Sequence, residues 1–254
     1  MNKPQKIRLM AHLVAGYPSL DESFTVARAL QAGGADILEL QLPFSDPAAD
    51  GPVIQEACAK ALSSGTKVED GFRLLERIRK ELEIPVFLMS YANLVVRMGV
   101  EKFVRRAKSA GAAGLIVPDL TPGYDEGLYE AGRGIGIEVV PVLTTGTSAS
   151  RLESILSERP RYLYCALRSG ITGALTRPSE EALYFLDALG GRDMELMAGF
   201  GIRKSEQVRA LQGHADIAVA GSVFVREIHD SSGDEGSELF QKIKSKAGEL
   251  SLRY

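Results

Sequence analysis

The chain has 254 residues, of which 45% are hydrophobic, and this length and composition allow one large domain around a single core. Its 30 basic residues nearly balance its 33 acidic residues, which excludes the broad positive field that binding to nucleic acid or to an anionic membrane surface requires. No segment reaches the roughly 20 apolar residues that cross a bilayer, and Cys58 and Cys165 lack the spacing of a disulfide framework or a metal site, so we expect a soluble, cytoplasmic protein with reduced thiols.

Helical segments that end in glycine alternate with short runs of Val, Ile, Leu and Ala along the chain. The first helical segment is opened by a capping-box pattern, Ser19 with Glu22. Five glycine-containing junctions repeat the helix-to-strand order, since glycine closes a helix in the left-handed conformation before the chain reverses. The pattern predicts eight strands, near 8–15, 35–42, 84–91, 113–118, 136–143, 161–167, 194–200 and 215–220.

The predicted strands are continuous apolar runs, which is typical of a parallel sheet covered on both faces. Eight βα units in 254 residues favour a closed (β/α)8 barrel, the TIM barrel, with an open doubly wound sheet as the alternative. The most polar stretch, at 229–237, only precedes a last helix, and we find no linker. We therefore predict an α/β fold with one (β/α)8 domain over residues 1–254.

A glutamate interrupts the second predicted strand, in the stretch ILELQLPFSDPAADGP. Alternation places Ile37, Glu39 and Gln41 on one side of this strand, and barrel enzymes keep their active sites at the carboxyl ends of the strands. Asp50 follows in a loop bounded by prolines, a composition that holds an acid at a fixed place above the barrel. Taken singly, Asp46 and Asp50 fit ordinary turn aspartates better. An unpaired buried glutamate is costly, however, and two carboxylates in different surroundings can divide acid and base duties, so Glu39 and Asp50 indicate a catalytic site.

Glycines follow the last two predicted strands, in AGFGI at 198–202 and AGSVF at 220–224. Each motif precedes helix-compatible sequence, and free N–H groups at a helix N-terminus bind anions. Because barrels often place a phosphate site after strands seven and eight, the two motifs together predict a phosphorylated substrate. A third glycine-spaced loop, RSGITGALT at 168–176, predicts a lid.

The sequence lacks the residues that other reactions of phosphate-binding barrels require. A Schiff-base aldolase needs a lysine on an inward strand position, whereas the nearest lysine, Lys204, is predicted to start a helix. A zinc aldolase needs clustered ligands, but the three histidines are scattered along the chain. A Mg²⁺ site built from Glu39, Asp46 and Asp50 is a minor alternative, because a phosphate held by backbone amides needs no metal. We expect no metal site.

Residues 39–55, ELQLPFSDPAADGPVIQ, resemble the characteristic segment of the tryptophan synthase α subunit family. The resemblance extends over nearly the whole chain through further motifs in the same order: AGYPS (15–19), LMSYANLV (88–95), VPDL (117–120), RSGITGA (168–174), GFGI (199–202) and AGS (220–222). It implies a (β/α)8 lyase that cleaves indole-3-glycerol phosphate to indole and glyceraldehyde 3-phosphate by a retro-aldol reaction, without a cofactor in this chain. It also implies a β subunit that carries pyridoxal phosphate, receives the indole and forms an α2β2 heterotetramer with this chain.

The resemblance also implies roles for single residues. Glu39 matches the proton-shuttling glutamate of the family, and Asp50 matches the aspartate that accepts the hydrogen bond of the indole N–H. The remaining matches are the lid threonine Thr172, the pocket positions Tyr164, Tyr91 and Asp119, and the phosphate-site residues Gly173, Gly201, Gly221 and Ser222. The loops that face the β subunit match the segments around Pro43, Asp46 and Asn93.

Gln41 is the largest departure from the family pattern, which has glycine at this place. Its amide is expected to enter the pocket mouth, where it either hydrogen-bonds Glu39 or Asp50 or crowds the indole ring. The smaller departures are His12 where an aromatic residue is common, VLTTGTS at 142–148 in place of an apolar-Pro-Thr turn, and LTPGY at 120–124 without the usual acidic pair.

Two other functions are compatible with the sequence. A catalytically weakened subunit that binds and regulates a β-type partner is suggested by Gln41 and by the altered turn after the fifth strand. A sugar-phosphate isomerase barrel would use Glu39 alone as its base, but it leaves Asp50 and Thr172 without a role. Cleavage assays of the purified protein, with and without a β subunit, discriminate between these functions.

Overall fold

The computed structural model describes residues 6–167, 178–231 and 236–253. The strands in these ranges are β1 (Arg8–Val14), β2 (Ile37–Gln41), β3 (Val86–Met89), β4 (Gly114–Ile116), β5 (Glu138–Val140), β6 (Val142–Thr144), β7 (Tyr162–Ala166), β8 (Glu195–Gly199) and β9 (Ile217–Ala220). The helices are α1 (Leu20–Ala32), α2 (Pro52–Ser63), α3 (Val68–Glu81), α4 (Ala92–Met98), α5 (Val100–Ser109), α6 (Leu128–Ile135), α7 (Ala149–Ser157), α8 (Glu180–Leu189), α9 (Ser205–Arg209), α10 (Ser222–Asp230) and α11 (Gly236–Leu250). None of the helices within the described ranges is both long and apolar enough to cross a bilayer.

The strands form one parallel sheet in the order β5-β4-β3-β2-β1-β9-β8-β7-β6. Its two end strands, β5 and β6, are consecutive in the chain, and only Pro141 separates them. The first half of this segment pairs with β4 and the second half pairs with β7, so the sheet closes on itself. The (β/α)8 barrel predicted from the sequence is therefore confirmed.

The fifth predicted strand, at 136–143, is divided in the structure. Proline has no N–H group to donate to a ladder, so Pro141 interrupts the regular hydrogen bonding between β5 and β6. Its carbonyl oxygen still accepts a hydrogen bond from the N–H of Tyr164 at 2.9 Å. The segment thus acts as one barrel strand that changes its neighbour at the proline, and this division accounts for the ninth strand.

The strands are buried on both faces, because one face lines the barrel and the other packs against the helices. The barrel interior is filled by apolar side chains at alternate strand positions, among them Met10, Ile37, Phe87, Met197 and Val219. Two residues beyond Met10 and Ile37, the same faces of β1 and β2 carry His12 and Glu39, which lie opposite each other in the strand register. The apolar filling therefore gives way to polar side chains toward the carboxyl ends of the strands.

The first helix begins at the predicted cap. The hydroxyl of Ser19 accepts a hydrogen bond from the N–H of Glu22 at 3.2 Å and donates one to the Glu22 carboxylate at 2.6 Å. The N-cap is confirmed, although the glutamate accepts from the hydroxyl of Ser19 rather than from its backbone N–H.

Two glycines of α6 have opposite surroundings, which predicts opposite effects of alanine at these positions. A Cβ at Gly132 would lie 2.6 Å from Cγ2 of Val139 and 3.0 Å from the carbonyl oxygen of Ile137, so Gly132→Ala is expected to lower the free energy of unfolding by about 1–3 kcal/mol. A Cβ at Gly134 would meet no atom within 4 Å, and Gly134→Ala is expected to raise it by about 0.5–1 kcal/mol, because glycine loses more backbone freedom on folding. Urea denaturation measures both changes, and effects of the same sign would contradict this account.

Candidate active site

A buried pair of polar side chains, His12 of β1 and Glu39 of β2, lies at the carboxyl end of the barrel interior. Nδ1 of His12 is 2.8 Å from Oε2 of Glu39, and the two residues are only 2% and 5% exposed. Burial alone would lower the pKa of His12, but the hydrogen bond with Glu39 and the negative charges of Glu39 and Asp50 raise it above its usual value. The glutamate predicted to lie inside the barrel therefore has a hydrogen-bond partner.

Asp50 is held above the barrel by the loop between β2 and α2. Its N–H donates to the carbonyl oxygen of Pro47 at 2.9 Å, and the side-chain amide of Gln55 donates to its carbonyl oxygen at 2.9 Å. Its Oδ2 accepts two further hydrogen bonds, from Nε2 of Gln41 and from the hydroxyl of Tyr91, both at 2.8 Å. Backbone and carboxylate are thus both fixed, as the loop composition predicted.

Glu39 and Asp50 both raise the pKa of His12, and Glu39 also raises that of Asp50. Burial raises the pKa of Asp50, the charge of His12 and the hydrogen bonds from Gln41 and Tyr91 oppose this rise, and the charge of Glu39 adds to it. Gln41, two residues beyond Glu39 on the same face of β2, donates to Asp50, and His12 is hydrogen-bonded to Glu39, so the two acids and His12 lie near one another at the carboxyl end of the barrel. The structure brings together the two acids that the sequence predicted as a pair.

Two tyrosines border this region. Tyr91 is 2% exposed and stacks on Phe44 with ring centroids 5.3 Å apart, and its hydroxyl accepts a hydrogen bond from the N–H of Ala49 at 3.2 Å. Tyr164 of β7 points toward β8, where a Cβ at Gly199 would lie 3.1 Å from its hydroxyl. Burial and the charges of Glu39 and Asp50 raise the pKa of Tyr164, and burial and Asp50 raise that of Tyr91. Both hydroxyls therefore stay protonated, and that of Tyr91 donates to Asp50.

The amide of Gln41 hydrogen-bonds an acid, which is the first of the two placements predicted for it. The side chain is fully buried, and Nε2 donates to Asp50 and also lies 3.4 Å from Sγ of Cys58 in α2. Its Oε1 is buried without a hydrogen-bond partner among the described residues. The amide is therefore built into the wall of the site and supports Asp50.

The glycines predicted to bind phosphate lie where β8 and β9 end. Gly201 has a φ of +85°, and Gly221 is the N-cap of α10, whose first residue is Ser222. A Cβ at Gly221 would lie 3.3 Å from Cβ of His12, which is a tight contact, and 3.6 Å from Cδ1 of Ile54, which is an ordinary one. The first N–H groups of a helix have no intrahelical acceptor, and the helix dipole favours an anion near them. The end of β9 beside His12 therefore has the geometry that suits an anion, and binding of phosphate there stays a prediction.

The roles predicted for three further site residues, Asp119, Thr172 and Gly173, stay predictions. Asp119 is exposed, and its two carboxylate oxygens accept from the N–H of Ala92 at 2.9 and 3.1 Å, so it anchors the start of α4. Its role in a pocket stays a prediction. Thr172 and Gly173, together with the predicted lid at 168–176, lie outside the described residues.

The histidines and acids do not assemble into a metal site in the part of the chain that the structure describes. Within residues 6–167, 178–231 and 236–253, no cluster of three or more His, Cys, Asp or Glu side chains has the arrangement of a metal site. Nδ1 of His214 pairs with Asp187 at 2.6 Å, and Nδ1 of His229 lies 3.4 Å from the hydroxyl of Tyr17. Each histidine thus has a separate local partner.

His12 is a candidate functional residue that the sequence patterns did not single out. In the sequence it is only a departure from an aromatic residue, although Met10 and His12 alternate along β1 in the same way as Ile37 and Glu39 along β2. Pairing the first two strands in this register would have placed the imidazole beside the carboxylate.

The raised pKa of His12 predicts how stability depends on pH. Because the folded protein holds this proton more tightly than the unfolded chain, the contribution to the free energy of unfolding is fully present below about pH 6.5 and is lost as the pH rises through the raised pKa. The unmodified protein is therefore expected to lose more stability between about pH 6 and pH 9 than a double variant, His12→Phe/Glu39→Gln, in which neither position titrates. Urea denaturation across this range measures the difference, and parallel profiles would contradict the charged pair.

Comparison with known proteins adds an independent line of evidence. A family model described as tryptophan synthase alpha chain matches residues 1–252. The chain is 38% identical over 239 residues to the tryptophan synthase alpha chain of Helicobacter hepaticus, an alignment that covers 91% of this chain and 90% of that protein. It is 37% identical over 223 residues to the tryptophan synthase alpha chain of Carboxydothermus hydrogenoformans, which covers 87% and 84%. Among solved structures, a chain of the tryptophan synthase complex from Pyrococcus furiosus matches with a TM-score of 0.83 and 30% identity, covering 98% of this chain and 99% of that chain.

Proposed function

Because the chain belongs to the tryptophan synthase alpha chain family, we propose that it cleaves indole-3-glycerol phosphate to indole and glyceraldehyde 3-phosphate, with Glu39 and Asp50 as its catalytic residues and no cofactor of its own. The observation that carries the proposal is the placement of these two acids. Glu39 is buried inside the barrel with His12, and Asp50 is fixed above it by Gln41 and Tyr91. Two carboxylates held by different partners suit a reaction that moves protons at two places.

The retro-aldol cleavage requires coordinated proton movements. A proton added to C3 of the indole ring places positive charge on the ring nitrogen, and Asp50 stabilises that charge by accepting the hydrogen bond of the ring N–H. The hydroxyl on the carbon attached to C3 then loses its proton, the carbon–carbon bond breaks, its electrons return to the ring, and the carbon becomes the aldehyde. Glu39 in its acid form gives the proton to C3 and then, as a carboxylate, takes the proton of the hydroxyl, so it ends the reaction in the form in which it began.

The phosphate of the substrate is proposed to bind at the carboxyl ends of β8 and β9. Gly201, Gly221 and Ser222 contribute backbone N–H groups and the start of α10. Gly173, outside the described residues, is proposed as a further member of the site. Thr172 is proposed to close over Asp50, and Tyr91, Tyr164 and Asp119 complete the pocket. Binding the phosphate at this place positions the reacting carbon over the two acids.

A tryptophan synthase β subunit is the proposed partner, in an α2β2 assembly in which the β subunit carries pyridoxal phosphate and uses the indole. The support is the similarity to the Pyrococcus furiosus chain, whose structure is that of a tryptophan synthase complex. The proposed face contains the segments around Pro43, Asp46 and Asn93. Asp46 and Asn93 are exposed and therefore accessible to a partner.

Release of indole from indole-3-glycerol phosphate by the purified protein tests the proposal. The assay is run alone and with a β subunit, because the two conditions distinguish a lyase that is active by itself from one that needs its partner. Turnover of an aldose phosphate without any indole release would contradict the lyase and favour the isomerase.

A second candidate function, a regulatory subunit with weakened catalysis, is favoured by one observation. Gln41 is fully buried beside Asp50, and its Nε2 hydrogen-bonds the carboxylate that the indole N–H is proposed to reach. Binding to a β subunit without any indole release by the unmodified protein, together with a gain of release in Gln41→Gly, would support this function over the lyase.

Removal of the Gln41 amide predicts a shift in the pH profile of the lyase. The hydrogen bond from Gln41 lowers the pKa of Asp50, so Gln41→Leu, which keeps the bulk and removes the donor, is expected to raise it. The acidic limb of kcat/KM for indole release should move to higher pH, so the loss of activity should be largest on the acidic side of neutrality. An unchanged acidic limb would show that Asp50 does not control this step.

A further inference from the structure

His12 has one ring nitrogen that nothing in the described part of the folded chain uses. Nδ1 is taken by Glu39 at 2.8 Å, whereas Nε2 is buried and has no hydrogen-bond partner among the described residues. Folded proteins rarely leave a buried polar atom unpaired, because the atom loses water without gaining a partner. An orphaned nitrogen beside a candidate active site therefore points to a ligand that supplies the missing partner.

The position of the ring shows which part of a ligand Nε2 would meet. The two nitrogens of an imidazole point in diverging directions, so Nε2 points away from Oε2 of Glu39. On the side opposite β2, β1 pairs with β9, whose end leads into Gly221, and a Cβ at Gly221 would lie 3.3 Å from Cβ and 3.5 Å from Cγ of His12. The imidazole thus lies between the proton-transferring carboxyl and the proposed phosphate site at α10.

A ligand that reaches from the phosphate site to Glu39 has to pass this imidazole. In the proposed substrate, that part is the glycerol phosphate chain, which carries hydroxyl and phosphate oxygens and no apolar surface comparable to the indole. When its ring is protonated, a histidine whose Nδ1 is bonded to a carboxylate presents an N–H donor at Nε2, and an oxygen-rich chain supplies the acceptor. Phenylalanine or any other apolar aromatic residue at this position has no such donor.

We propose that His12 is a substrate-binding residue, in which Nε2–H donates a hydrogen bond to an oxygen of the glycerol phosphate chain while Nδ1 holds Glu39 in place. This inference rests on the proposed function for the identity of the ligand. It adds a contact that selects substrates with an oxygen beside the reacting carbon, and it couples binding of the phosphate end to the orientation of the base.

Two isosteric variants separate the two nitrogens. The amide of His12→Asn reaches the place of Nδ1 and keeps a partner for Glu39, whereas the amide of His12→Gln reaches the place of Nε2. The probe is glycerol 3-phosphate, whose dissociation constant is measured by calorimetry, together with kcat and KM for indole release. We expect His12→Asn to weaken binding of glycerol 3-phosphate about ten-fold and to raise KM similarly, and His12→Gln to retain most of the affinity. A purely structural role would lower the melting temperature of both variants without separating their affinities.

A measurement on the unmodified protein covers the case in which a variant does not fold. The chain has three histidines, so the nitrogen resonances of His12 can be assigned by comparison with His214→Gln and His229→Gln. Addition of glycerol 3-phosphate is expected to shift the Nε2 resonance of His12 more than the other two. An unmoved Nε2 resonance, an unchanged affinity of His12→Asn, or no binding of glycerol 3-phosphate to the unmodified protein overturns the inference.

The outcomes distinguish this inference from the proposed function. Indole release with an affinity for glycerol 3-phosphate that is independent of His12 leaves the lyase standing and removes the inference. Binding of glycerol 3-phosphate that depends on His12, without any indole release, removes the lyase and leaves the binding role of His12.

Discussion

Replacing Glu39 with glutamine is expected to lower kcat for indole release by about 10²- to 10⁴-fold, the range that a positioned general acid or base contributes. The amide keeps the size of the side chain and can still accept from Nδ1 of His12, so the barrel is expected to fold unchanged. It cannot take a proton from the substrate hydroxyl or return one to indole C3. Steady-state kinetics with indole-3-glycerol phosphate measure the loss, which should appear in kcat with little change in KM.

A matched control is another glutamate on a barrel strand. Glu138 begins β5 at the amino end of the strands, opposite the candidate site, and Glu138→Gln should keep kcat within about two-fold, the usual size of effects away from special features. Retention of full activity by Glu39→Gln would remove Glu39 from the mechanism, whatever the fold of the variant.

Asp50→Asn is expected to lower kcat/KM for indole release by about 10²- to 10³-fold, the size seen when one group that stabilises developing charge is lost. The asparagine oxygen can still accept from Gln41 and Tyr91, so the loop should keep its geometry. What is lost is the negative charge that stabilises the protonated ring. Since this charge is needed only as the ring becomes positive, the defect should lie in kcat more than in substrate binding.

The control for Asp50→Asn is Asp21, whose carboxylate is exposed on the protein surface. The side chain of Asp21 on α1 is 94% exposed and pairs with Arg77, and exposed pairs of this kind contribute about 1 kcal/mol or less. Asp21→Asn should therefore retain normal kinetics. If Asp50→Asn retained them as well, the regulatory function would gain support, because the acid would then have no chemical role.

The inward position of Glu39 could be predicted from the sequence because side-chain alternation along a strand is a local property. Its partner could not be predicted in the same way. His12 precedes Glu39 by 27 residues, and their contact depends on the register between β1 and β2, which is set by the packing of the whole barrel. A local pattern predicts the face of a strand, and only the assembled sheet determines which residue stands opposite.

Gln41 illustrates the same limit at the level of a side chain. The sequence predicted that its amide enters the site and left open whether it would hydrogen-bond an acid or crowd the substrate. The structure places Nε2 on Asp50, with Cys58 of α2 nearby, and this choice depends on how α2 packs over the end of β2. By contrast, the division of the fifth strand was within reach of the sequence, since Pro141 is visible there and proline interrupts a ladder.

The loop that carries Asp50 has a consequence for the thermodynamics of ligand binding. Both side-chain donors converge on Oδ2, and the backbone of the residue is tied to Pro47 and Gln55. A carboxylate anchored in this way has already lost its rotational freedom when the protein folds. A ring N–H that binds to Asp50 therefore meets an acceptor that is already ordered. The loss of entropy on binding is smaller than it would be for a freely rotating aspartate.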